Sequence, residues 1–416
     1  MPPYRRTFAA ICVLAPLIYI YWWRFTTPHT LEGHGDLLTR EDVFNKTLGF
    51  SKIFVINLPS RSDRRDAMAL AGAVSNLTFT WIDGVSGDQV PDRVVPLGQG
   101  GRSSGAKGSW RSHMNALQAV VRGNLPSALI MEDDIDWDIR IKSQLRTFAS
   151  ASRTWLRESK SDKHQKELLD LVPPSLIRRT YTANAMAGNA EKDTIQLTSV
   201  TGADSRAYRT VYGDDWDVLW LGHCGADFPS DKSPMSPLRI AIANDETVPA
   251  PKHLKSHPFA LSDKLGEVYP PHTRIVHASS GNVCTLAYAV SHQGARKLLS
   301  EFDDHYDTQW DLMLQKWCER KYATEDKSQE DLDTKRSKGL RKTHPVCITV
   351  QPPLFSHYYA KGGGSNIQGQ GGGYAKGTGS PYIRLSVREN LKRLVTGASQ
   401  SDMVDQLPDD GKTIWN

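Results

Sequence analysis

The sequence predicts an α/β protein built on a mostly parallel sheet, and three observations carry that reading. Short apolar runs alternate with helix-like stretches from residue 52 onward, the rhythm of strands joined by helical crossovers. Residues 127–131 (Ser-Ala-Leu-Ile-Met) have the composition of a fully buried strand. That run ends abruptly in Glu132, Asp133 and Asp134. Three adjacent acids at a buried strand's exit repel one another and lose hydration unless something cationic sits beside them.

Each element follows from local signals. Residues 52–58 form the first strand, ended by Pro59, and a helix over 62–71 stops at Gly72. Residues 78–82 are a second strand. An amphipathic helix over 107–121 stops at Gly123 and leads into the acid-tipped strand. Residues 150–212 and 225–275 are charged or proline-rich and read as insertions or surface loops. Between and after them come strands at 216–222 and 282–290, a helix over about 293–302, and another beginning near Asp307. Residues 347–350 are the last strand. The glycine-rich stretch 361–380 reads as the start of a polar tail reaching residue 416, or less readily as a loop closing over substrate.

Composition bounds the class. The chain has 416 residues, 39% hydrophobic and 23% charged, with a formal charge of +5, enough for a substantial core. No long Lys/Arg run is present, so a nucleic-acid partner is not expected. Arg5 and Arg6 precede the uncharged stretch 8–23, and Arg24 follows. A helix of that length spans about 24 Å, slightly short of a ~30 Å hydrocarbon core. Tyr19, Tyr21, Trp22 and Trp23 stand where an interfacial aromatic belt extends it. The expectation is a single-pass type II protein of the Golgi or endoplasmic reticulum membrane. Residues 1–7 are its cytosolic tail, 8–23 the signal-anchor, 24–50 a stem and 51–360 the luminal body. Sequons at Asn45 and Asn76 agree with a lumen. Cys224, Cys284, Cys318 and Cys347 permit two disulfides in three possible pairings, and no CxxC knuckle argues for structural zinc.

Ligands of open parallel sheets bind beyond the strands' carboxyl ends. Asn57, Arg61, Arg64 and Arg65 therefore face the same region as Glu132, Asp133 and Asp134. Acids able to hold a hard divalent ion, beside guanidinium groups, make a nucleotide-diphosphate site. Alternate residues of an extended segment share a face, so Glu132 and Asp134 are the candidate metal ligands, either able to hold the ion while the other contacts ribose. The bland reading is a solvated acidic turn beside a solvated arginine loop.

Five blocks then resemble glycosyltransferase family 25, which includes lipopolysaccharide and collagen galactosyltransferases. They are Phe54-Val-Ile-Asn-Leu-Pro-Ser-Arg61-Ser-Asp63-Arg64-Arg65, Gly105-Ala-Lys-Gly108-Ser-Trp-Arg-Ser112-His113, and Ala128-Leu-Ile-Met-Glu132-Asp133-Asp134. Trp216-Asp217-Val-Leu-Trp-Leu-Gly222 follows, and then the closing block from Ala287-Tyr288 through Ser291, Gly294-Ala295 and Leu298-Leu299 to Trp310-Asp311. The resemblance implies a GT-A type fold with a Rossmann-like, mostly parallel but mixed sheet. It implies a UDP-sugar donor, usually UDP-galactose, a divalent ion such as Mn²⁺, and inversion at the sugar. Inversion needs a single base, and Asp311 matches the family's late acidic position; its alternative role is to complement the helix dipole. His113 either reaches the donor or satisfies a buried hydrogen bond. Asp217 is either a ribose or acceptor contact or a paired structural acid. Ser109 replaces a family cysteine, and Asn366 replaces a family aspartate, which would weaken ion binding. The expected function is transfer of a hexose, galactose first, to a glycan or protein hydroxyl in the secretory pathway. The alternative is a catalytically silent GT-A-like binding or assembly protein, for which Asn366 and the insertions speak.

Overall fold

In a computed structural model, the structure describes residues 39–96, 103–169, 193–198, 208–230, 233–254, 264–322, 344–360 and 378–413, without the side chains of 161–169. The strands are β1 (Lys52–Asn57), β2 (Phe79–Asp83), β3 (Ser127–Glu132), β4 (Ile135–Trp137), β5 (Thr194–Gln196), β6 (Val218–Gly222), β7 (Arg239–Ile242), β8 (Arg274–Ala278), β9 (Ala287–Ser291), β10 (Cys347–Gln351) and β11 (Phe355–His357). The helices are α1 (Ser62–Val74), α2 (Ser104–Arg122), α3 (Ile141–Leu169), α4 (Lys264–Val268), α5 (His292–Asp304), α6 (Trp310–Cys318) and α7 (Leu391–Val395).

The sheet runs β2-β1-β3-β9-β6-β10-β8-β7-β5, with β4 and β11 paired off that path. β1 lies parallel to β2 and β3. β9 is inserted antiparallel between β3 and β6, so β3 and β6 point the same way. β10 runs parallel to β6, while β8 is antiparallel to both β10 and β7. This mixed α/β sheet fits a GT-A-like fold.

The central strands are mostly apolar because both faces are covered. Ile53, Val55, Leu129, Met131, Leu219 and Leu221 join one core with Met68 of α1 and Phe148 of α3. Their alternates Phe54, Ile130, Val218 and Trp220 join a second core with Trp110 of α2, Leu298 of α5 and Trp310 of α6. Two glycines set the spacing of these layers. A Cβ on Gly108 would lie 2.4 Å from the Val85 carbonyl, and one on Gly294 would lie 2.1 Å from the Asp217 carbonyl. Ser112 completes the first contact: its Oγ accepts from Val85 N at 2.8 Å and donates to Gly108 O at 2.7 Å. Two of the sequence blocks thus carry packing chemistry. Disulfides join Cys224 to Cys284 and Cys318 to Cys347.

Several segments lie deeper than their composition predicts. Val43, Leu48 and Phe50, read as the end of a stem, are buried in the first core. So are Ala151, Trp155, Leu156, Val211 and Tyr212 of the first supposed insertion. The second contributes β7, an interior strand of the sheet, with Ile240 fully buried. α3 hid its apolar stripe among charges, and β7 is too short to show a period. Ile383, Val387 and Leu407 of the supposed tail are buried as well. That segment is held by polar contacts: the Ser380 and Ser386 hydroxyls and the Arg388 amide all donate to the Asp136 carboxylate, which is fully buried in β4. Residues 8–23 and Asn366 lie outside the described residues. Among the described residues, no helix is long and apolar enough to cross a membrane.

Asp136→Ala leaves several buried donors without an acceptor and lowers the unfolding free energy by about 3–5 kcal/mol. Denaturant titration checks this; a loss below about 1 kcal/mol would show that residues 378–413 are not anchored through Asp136.

Candidate active site

The parallel strands β1 and β3 deliver their last residues to one rim, in register Ile56 opposite Glu132. Asn57, only 1% exposed, donates from Nδ2 to Asp133 Oδ2 at 2.7 Å and to the Arg61 carbonyl at 3.1 Å. Arg64, on the first turn of α1, reaches Asp133 Oδ1 at 2.9 Å and Asp134 Oδ2 at 2.7 Å. The loop after β1 and the turn after β3 are thereby clamped into one unit.

Two more segments converge there. β4 pairs antiparallel with β11, Ile135 opposite His357, which sets the His357 Nε2 3.4 Å from Asp134 Oδ2. On the other side, residues 284–286 hold two acids. The Thr285 hydroxyl donates to Glu132 Oε1 at 3.2 Å, and the Cys284 amide donates to Asp311 Oδ2 at 2.9 Å. Asp311 occupies the first turn of α6.

The acids are driven apart electrostatically. Burial, reinforced by Asp134 and then opposed by the Thr285 hydroxyl, pushes the Glu132 carboxyl up to about 8, with Asp133 and Asp311 adding to the rise. Burial acts the same way on Asp134, but His357, Arg64 and Arg388 outweigh it and hold that carboxyl below the usual range. Asp133 is raised by burial and by Asp134 against the pull of Arg64 and Asn57. Neighbouring carboxyls with opposed shifts are typical of sites that handle charge.

Buried polar atoms without a hydrogen-bond partner among the described residues gather at this rim: Asn57 Oδ1, Asp134 Oδ1, His357 Nδ1, and two nitrogens of Arg388. Folded proteins satisfy nearly all such atoms, so a cluster of orphans marks where something else binds. Among the described residues, no three His, Cys, Asp or Glu side chains form a metal cage. The orphaned Asp134 oxygen, with Glu132 beside it, fits an ion held by one or two carboxylates that takes its remaining ligands from phosphate and water.

Of the residues expected here, Asn57, Arg64, Glu132, Asp133, Asp134 and Asp311 are brought together. Arg61 turns to Asp63, at 2.8 and 2.6 Å, at the edge of the acids' field. His113 is corrected: it is buried in the second core, stacked on Trp310 at 4.8 Å and hydrogen-bonded to the Tyr288 hydroxyl at 3.0 Å. Burial pushes its imidazole down to about 3. Asp217 is corrected too. It precedes β6, which runs parallel to β3, so it lies at the opposite rim, about 15 Å away along the strands. There it pairs with Lys297 and the Val346 amide, at 2.8 and 2.9 Å. Sequence reading missed Thr285, His357 and Arg388. A lone histidine after an apolar stretch and an arginine in a polar tail carry no distinguishing pattern.

A GT-A-like sheet with acids and arginines at one rim is the class that fold and site define. Residues 50–208 match the model of glycosyltransferase family 25, described as an LPS biosynthesis protein. Over those residues the chain is similar to glycosyltransferase family 25. Procollagen galactosyltransferase 1 of Danio rerio is 30% identical over 112 residues, 24% of this chain and 18% of that protein. Procollagen galactosyltransferase 1-A of Xenopus laevis is 26% identical over 113 residues, and procollagen galactosyltransferase 2 of Homo sapiens 26% over 111, with the same shares. The chain thus spans under a fifth of the length of these relatives. Asn57, Arg64 and the three acids fall within the family match, whereas Asp311, His357 and Arg388 fall outside it.

The raised Glu132 carboxyl has a consequence for stability. Below its ordinary value of 4.5 both folded and unfolded states hold the proton; between 4.5 and about 8 the unfolded state releases it first, so stability falls as pH rises. Glu132→Gln removes this penalty. The variant should melt higher than the ligand-free parent at pH 8, with the difference shrinking to nothing below pH 4.5. A pH-independent difference in thermal midpoint would contradict the assignment.

Proposed function

We propose that the chain is a metal-dependent inverting glycosyltransferase that moves a hexose, galactose first, from a UDP-sugar to a glycan or protein hydroxyl. The observation that carries this reading is the cluster of orphaned buried polar atoms around Asp134, at the rim where such sheets bind ligands. The family match and the similarity to procollagen galactosyltransferases support the transferase class and the choice of galactose. The disulfides Cys224–Cys284 and Cys318–Cys347 favour an oxidising compartment such as the secretory pathway.

Asp134 and Glu132 are the ligands for a divalent ion, Mn²⁺ first. Bound there, such an ion supplies Lewis acidity to the departing diphosphate. Asn57 and Arg64 fix Asp133 and Asp134, so the acids need no rearrangement when the donor arrives. Asp311, oriented by the Cys284 amide, is the base. It takes the proton of the acceptor hydroxyl as that oxygen bonds to the sugar's anomeric carbon. The bond from that carbon to the diphosphate oxygen breaks, and its electron pair leaves with UDP. Holding both reactants in line is what the flanking rim contributes.

The test is UDP release from UDP-galactose by the full chain, with an acceptor panel and either Mn²⁺ or EDTA. Release requires metal and is lost in Asp134→Ala. Asp311→Asn lowers kcat by roughly 10²–10⁴-fold while UDP affinity is kept. Nucleotide binding without turnover on any acceptor would favour the silent binding protein, and absence of UDP binding would remove the donor-site reading altogether.

A further inference from the structure

Arg388 carries a charge whose donors the fold does not satisfy. Among the described residues, its Nε and one terminal nitrogen are buried without a hydrogen-bond partner. The guanidinium lies over the Tyr358 ring, 5.0 Å from its centroid. That contact attracts a cation but accepts no N–H in the guanidinium plane. The nearby carboxylates do not take these donors. Asp136 is filled by the Ser380 and Ser386 hydroxyls, the Trp137 amide and Arg388's own backbone amide. Asp134 turns Oδ2 to Arg64 and His357, while its Oδ1 is itself an orphan.

The backbone around Arg388 is fixed. The Val387 amide donates to the Trp137 carbonyl at 3.0 Å, and the Glu389 amide donates to the Ser386 hydroxyl at 2.9 Å. Tyr358 is held too, its amide donating to the Asp134 carbonyl at 2.9 Å and its hydroxyl to Glu389 at 3.1 Å. A rigidly presented guanidinium with buried, unused donors is preorganised for an anion with several acceptor oxygens. The orphans also divide by sign. Asn57 Oδ1 and Asp134 Oδ1, at the strand ends, accept; Arg388, on the C-terminal segment, donates.

We infer that Arg388 is a phosphate-binding residue of this site, with Tyr358 beneath it, and that it takes the terminal phosphate of a nucleoside diphosphate. The inference rests on the donor-site reading above and extends the site to residues 378–413, beyond the stretch that matches the family. The leaving group therefore meets charge from two directions: an ion at Asp134 and a guanidinium at residue 388.

Calorimetric titration of the full chain with UDP and with UMP, both with Mn²⁺, tests it. Arg388→Met weakens UDP binding roughly 10–100-fold while UMP affinity stays within about twofold, and Arg388→Lys recovers part of the loss. Unchanged UDP affinity in Arg388→Met overturns the inference while leaving the donor site standing. Equal losses for UDP and UMP also overturn it, since they indicate a damaged fold rather than a lost phosphate contact. A parent chain that binds neither nucleotide overturns the donor site, and the inference falls with it.

Discussion

Three carboxylates leave a buried strand together, and the structure around them is organised by the need to balance that charge. Arg64 answers Asp133 and Asp134 from α1, and Asn57 answers Asp133 from the end of β1. His357 answers Asp134 from β11. Among the described residues Glu132 receives one hydroxyl hydrogen bond and no cation, and its carboxyl rises accordingly. Removing any partner would expose the repulsion, because buried charges without compensation are among the costliest features a fold can hold. The parallel register of β1 and β3 is what allows the compensation, since an antiparallel pair would carry Asn57 to the opposite rim.

The second acid-bearing element is tied at both ends. Cys284 is bonded to Cys224, and its amide holds Asp311 at the start of α6. Cys318, the last residue of α6, is bonded to Cys347, the first of β10. Trp310 packs this helix against His113 and Phe302 in the second core. His113 thus acts on the site at a distance, through the packing of the helix that carries Asp311. A motif residue can matter for the site without touching a ligand.

The parallel half of the sheet was legible because its strands are long enough to show their character and its helices have caps. Ser103 and Ser291 accept from the amides three residues on, and Gly123 follows α2 as a C-cap. The acid cluster with Asn57 and Arg64 was legible for a topological reason: residues after parallel strands share a rim. The same reasoning, applied strictly, places Asp217 correctly, since an acid preceding such a strand belongs to the far rim. What composition could not reveal were elements held by polar contacts. β4 and β11 are three residues each, too short for periodicity. Residues 378–413 dock through serine hydroxyls on a buried aspartate, so their polarity reads as solvated tail. Polar composition and burial are compatible whenever the partners are charged and fully hydrogen-bonded.

Charge accounting links these parts to the proposed chemistry. With Glu132 holding its proton near neutrality, Arg64 is engaged by Asp133 and Asp134, and the unsatisfied donors left at the rim among the described residues include those of Arg388. A polyanion arriving alone would add repulsion from Asp134 and Asp311. A divalent ion arriving alone favours loss of the Glu132 proton and then leaves Arg388 still unsatisfied. Together they neutralise one another, one taking the orphaned acceptors and the other the orphaned donors. On the proposed function, ion and nucleotide would bind this rim with mutual reinforcement, and by linkage each would raise the affinity of the other by the same factor. The coupling originates in residues from β1, β3, β11 and the C-terminal segment, which meet only in the folded chain.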